Sequence, residues 1–96
     1  RLRVMDMPNE NRPISKVKVN ISGEDYCIKG AASQEYIKKV AKHVDDEMYK
    51  LSQTYPNLSR TRIAVLAALN ITDELFRLRE EYEEFLSTFD SDDTKD

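Results

Sequence analysis

His43 stands four residues before Glu47, a spacing that puts an imidazole and a carboxylate on one helix face. A carboxylate can orient an imidazole for general-base work, but the work also needs a nucleophile or a second base. No motif supplies either, so His43 reads as an edge-of-core or surface residue. Metal chemistry meets the same shortage. One histidine and one cysteine, on different elements, fall short of the three or four ligands of a zinc site. Asp45-Asp46-Glu47 lacks the glycine-containing loop of a calcium site and reads as a solvated helix face. Gly23 and Gly30 are the only glycines, so a glycine-rich phosphate loop is out of reach. Cys27 has no partner for an internal disulfide; it reads as a small, semi-buried filler and fits a reducing compartment. These residues argue against an enzyme and against a cofactor.

The basic residues offer binding rather than catalysis. Lys16, Lys18 and Lys29 fall on one face of a two-stranded sheet, with Lys18 expected opposite Lys29, a like-charge pairing that costs stability. Arg60 and Arg62 open a long helix, where the macrodipole disfavours cations. Neither arrangement helps the fold, which makes both candidates for meeting an acidic partner. The competing explanation is ordinary solvated surface charge.

The elements that carry these residues follow from periodicity. KVKVNI (residues 16–21) alternates polar and apolar at each step, as a half-buried strand does. Gly23 suits a type II′ turn with Gly23-Glu24 as its two-residue loop, and a second strand runs from Tyr26 to Lys29. Val17, Val19, Ile21, Tyr26 and Ile28 then share an apolar face, and a helix must cover it. Ser33 is an N-cap candidate, and Ile37, Val40, Ala41, Val44, Met48, Leu51 and Tyr55 recur at helical spacing. Pro56 ends that helix, and Asn57 or Ser59 caps the next. The expected fold is α+β: a ββα head over residues 14–57, then a long helix over residues 58–89. Residues 1–13, which include Pro8 and Pro13, and the acidic residues 90–96 are expected to be disordered, with Met5 and Met7 as candidate native starts.

The long helix holds no glycine or proline from Arg60 to Phe89. Ala64, Ala68, Ile71, Leu75, Leu78, Tyr82, Phe85 and Phe89 recur at alternating intervals of four and three, the seam of a coiled coil. A rod of about 45 Å exceeds what so short a chain can cover, so the seam is expected to meet another copy. In a parallel pair, Glu74 would face the partner's Arg79. Residues 63–69 are apolar or small all round and are expected to be contacted from several sides. Asn70 interrupts this stretch either as a half-buried amide or as a register device, and Phe76, off the seam, leaves room for a second interface and a tetramer. The net charge of −3 argues mildly against generic nucleic-acid binding. No apolar run approaches membrane-spanning length.

Three segments together resemble one family. RIAVLAALNITDEL (residues 62–75), the VNISGEDYCIKG hairpin (19–30) and VDDEM (44–48) look like the ZapA cell-division proteins in both order and spacing. The resemblance covers residues 17–85 and is closest to the compact members. It implies a non-enzymatic cytoplasmic protein of the mid-cell division ring, free of cofactors. It also implies binding to the tubulin-like GTPase FtsZ and lateral bundling of FtsZ filaments by dimers that pair into tetramers. The head is the implied contact, carried here on charge grounds to Lys16, Lys18, Lys29, Lys42, Arg60 and Arg62. The rival reading is a DNA-binding ribbon–helix–helix repressor, which also has an outward-facing basic strand before two helices.

Overall fold

The computed structural model describes residues 14–94, with side chains through Phe89. The expectations for residues 1–13, including the two candidate starts, lie outside the described residues. Alternation produces β1 (Ser15–Ile21), which pairs antiparallel with β2 (Glu24–Gly30). The pair leads into α1 (Gln34–Thr54) and then α2 (Arg60–Thr94). This is the expected α+β order. Because β1 pairs with a strand of its own chain, the hairpin differs from the intermolecular ribbon of a ribbon–helix–helix repressor.

The turn differs from expectation by two residues of register. Ile21 pairs with Glu24, Val19 with Tyr26 and Val17 with Ile28, so the loop is Ser22-Gly23 and not Gly23-Glu24. Ser22 at φ 54° and Gly23 at φ 86° supply the two positive values that a type I′ turn requires. The two-residue shift leaves every side chain on its expected face, because the strand period is also two. It does change partners: Lys18 lies opposite Cys27, and the like-charge pair is Lys16 with Lys29.

The core forms in two parts. Val17 and Val19 of β1 pack with Ile37 and Ala41 of α1, and Ile28 and Ala32 border them. Further along α1, Met48 packs with Ile63 and Ala67 of α2, bordered by Val44 and Leu51. Ile21, at the end of β1, touches both parts. Tyr26 shares the apolar side of the sheet but remains 43 % exposed, since α1 covers β1 more than β2.

Local signals set the helix limits. Ser33 accepts a hydrogen bond from the Tyr36 N–H at 3.1 Å, satisfying a donor that the first turn leaves open. The Tyr55 N–H donates to the Leu51 carbonyl at 2.8 Å, and Pro56 prevents continuation. Ser59, rather than Asn57, caps α2 by accepting from the Arg62 N–H at 3.2 Å. The α2 backbone stays helical through Asp90–Thr94, past the expected limit at Phe89, and residues 95–96 are outside the described residues.

Ile37 is wholly buried, so Ile37→Ala should lower unfolding free energy by about 2–5 kcal/mol in urea titration. An added Cβ at Gly23 would meet nothing within 4 Å, leaving only the backbone cost of positive φ. Gly23→Ala should therefore cost about 1–2 kcal/mol, and a loss matching that of Ile37→Ala would contradict a purely conformational role.

Candidate interaction surfaces

Leucine and aromatic side chains lie open along α2. Only Ile63 and Ala67 of this helix are buried among the described residues, and Leu66 and Ile71 are half-buried. These four lie on the side that meets the head. Ala64, Ala68, Leu75, Leu78, Tyr82, Phe85 and Phe89 are exposed, with Leu75 at 44 % and Tyr82 at 63 %. The seven-residue pattern thus runs beside the head-facing stripe, with Ile71 half-buried between the two. Phe85 and Phe89 meet edge-to-face at 4.8 Å, which stiffens the distal end of the seam.

Phe76, expected off the seam, is joined by Val65 and Leu69 in a second apolar stripe. Val65, Leu69 and Phe76 fall at intervals of four and seven, and all three are exposed. Val65 and Leu69 lie within residues 63–69, whose all-round apolar character hides their helical period. Within the single chain, residues 63–69 are contacted on one side and open on the others. The Arg79 guanidinium lies 5.8 Å from the centre of the Phe76 ring, within cation–π range. Arg77 forms a two-nitrogen contact with Asp73 at 2.8 and 3.1 Å, which raises its pKa through hydrogen bonding and charge attraction. Asn70 is exposed and not half-buried.

The basic residues do not form one patch. Lys16, Lys18 and Lys29 share the sheet face opposite α1, with Lys16 and Lys29 directly across from each other. Lys18 reaches Asp25 at 3.8 Å, whereas Lys16 and Lys29 have no ion-pair partner among the described residues. Lys42 projects from α1 and pairs with Asp46 at 3.3 Å. Arg62 is exposed in the first turn of α2. Arg60 is engaged within the fold, donating to the Ser22 carbonyl at 2.9 Å and lying 2.8 Å from Glu24.

The chemistry-bearing residues disperse as well. His43 Nε2 lies 3.9 Å from Glu74 of α2, while Glu47 turns to Lys50 at 3.7 Å. The i,i+4 pair suggested by spacing is therefore replaced by a cross-helix contact. Cys27 is exposed, not semi-buried, because no element covers that side of the sheet among the described residues. Among the described residues, no three His, Cys, Asp or Glu side chains gather as a metal site would require. None of the helices described is long and apolar enough to cross a membrane.

The comparisons with known proteins agree with this architecture. The family model for "Cell division protein ZapA" matches residues 17–93. A cell-division protein ZapA of Geobacillus kaustophilus is 45 % identical over 71 residues, covering 74 % of this chain and 78 % of that protein. Its counterpart in Halalkalibacterium halodurans is 40 % identical over 80 residues, covering 83 % and 87 %. A solved ZapA mutant dimer from Geobacillus stearothermophilus superposes with a TM-score of 0.66 at 36 % identity, covering 88 % of this chain and 99 % of that one. With its hairpin, paired helices and family-specific segments in the same order, this chain belongs to the ZapA family of cell-division proteins.

Proposed function

We propose that the chain is a non-enzymatic cross-linker of FtsZ filaments, acting as a homo-oligomer in the cytoplasm at the division ring. The observation that carries this reading is the exposed seam of α2, set beside membership of a cell-division family. A solvated row of Leu, Tyr and Phe has a use when a second copy covers it. A parallel pair of rods would bring two heads to one end of the assembly.

The second stripe, Val65, Leu69 and Phe76, is the surface through which two such dimers become a tetramer. Each head offers the Lys16, Lys18 and Lys29 face to an acidic surface of FtsZ, with Lys42 and Arg62 as flanking cations. A filament repeats one weak site many times. An oligomer with several heads can engage two filaments at once and gain avidity without a strong single contact. The surface charges of the head then supply steering and reversibility, and the contact weakens as salt rises.

Co-sedimentation tests the reading: added protein should increase the pelleted, bundled fraction of FtsZ polymer in the presence of GTP. No increase with an oligomeric sample would overturn it. Lys16→Glu combined with Lys29→Glu should reduce that increase several-fold, since it reverses the charge of the face while leaving the buried residues alone. Tyr82→Asp places a charge in the seam and should weaken self-association by at least about a hundredfold, on the order of 3 kcal/mol, in light scattering. That variant should lose bundling while its head still binds single filaments.

A further inference from the structure

We propose that the hairpin turn is a latch whose two fastenings, Asp45 of α1 and Arg60 of α2, fix the angle between the sheet and the long helix. The Ser22 N–H donates to Asp45 Oδ1 at 2.8 Å in a partly buried contact. On the other side of the same residue, Arg60 Nη2 donates to the Ser22 carbonyl at 2.9 Å. The other terminal nitrogen of Arg60 lies 2.8 Å from Glu24, the first residue after the turn. One two-residue loop is thus held by a carboxylate from one helix and a guanidinium from the other.

The turn needs this support. Ser22 adopts φ 54°, a left-handed conformation in which its Cβ crowds the following carbonyl. Its N–H and carbonyl both find partners outside the hairpin, which offsets that cost and selects this register over the alternative. Apolar packing alone would leave the joint loose. The head-side and rod-side clusters meet the hairpin in common only at Ile21, the residue before the turn. α1 links the sheet to α2 indirectly, and the sheet's direct hold on α2 runs through one isoleucine and the latch beside it.

Leverage makes this joint matter. At 1.5 Å per residue α2 is about 50 Å long, so a rotation of about 10° at its base moves the far end by about 9 Å. Arg60 and Asp45 are positioning residues on this account. Arg60 gains its role from the fold's own turn rather than from a filament. The consequence for bundling rests on the proposed function, but the latch itself does not.

Pulsed dipolar spectroscopy within one chain tests the proposal, using nitroxides on the exposed Cys27 and on Ser87→Cys of α2. Labelled chains are diluted into excess unlabelled Cys27→Ser protein, so that only intrachain distances are read. The reference protein should give one narrow distance distribution. Asp45→Ala and Arg60→Gln should each at least double its width while circular dichroism shows the helices retained. Asp45→Asn keeps an acceptor oxygen and Arg60→Lys keeps a cationic donor, so both should restore most of the narrowness. Arg60 is partly exposed, and Arg60→Gln remains a decisive variant even where Asp45→Ala fails to fold. An unchanged width in Arg60→Gln would overturn the latch, as would Asp45→Asn broadening as much as Asp45→Ala. Lost FtsZ bundling with an unchanged distribution would instead place Arg60 in the filament contact.

Discussion

The length of α2 relative to the chain that makes it is the constraint on which the structure turns. Its 35 residues amount to more than a third of the 96 available, and the head touches only the first few turns. Hydrophobic burial scales with the apolar area removed from water, and the head covers only the start of this helix. Ile63 and Ala67 are buried by the chain itself, while Leu75, Leu78, Tyr82, Phe85 and Phe89 keep large exposed surfaces. Such a row is a liability for a chain acting alone and an interface for one that pairs. The sharing of one helix between head and rod is what connects pairing to head placement.

That sharing places demands on a small core. A two-stranded sheet has little independent stability, and here it gains support from Ile37 and Ala41 of α1. The same helix then uses Met48, about two turns beyond Ala41, to hold α2. α1 is therefore the common neighbour, and the hairpin reaches α2 chiefly at its tip. The polar contacts of Ser22, Asp45 and Arg60 concentrate at the place where apolar contact is thinnest.

Much of this was legible in the residues, for reasons that can be named. The alternation of β1, the Ser33 cap, the Pro56 stop and the seam all depend on interactions within a few residues or on simple periods. The turn register was not legible, because Gly23 suits both hairpin types and a two-residue shift preserves each face. What selects between the registers is Asp45, 23 positions away from Ser22 in sequence, together with Arg60. The role of Arg60 was hidden for the same reason: its spacing suggests an unhelpful charge at a helix start, and only the folded hairpin supplies its partners. Val65 and Leu69 were concealed differently, within a segment so uniformly apolar that no separate stripe stood out.

Sedimentation equilibrium of the unmodified chain over a range of concentrations tests most directly whether the open seam is an interface. The account predicts a mass of at least twice 11.2 kDa at micromolar concentration, falling toward the single-chain value only on strong dilution. A chain that remains at 11.2 kDa throughout, with its helices intact, would contradict it.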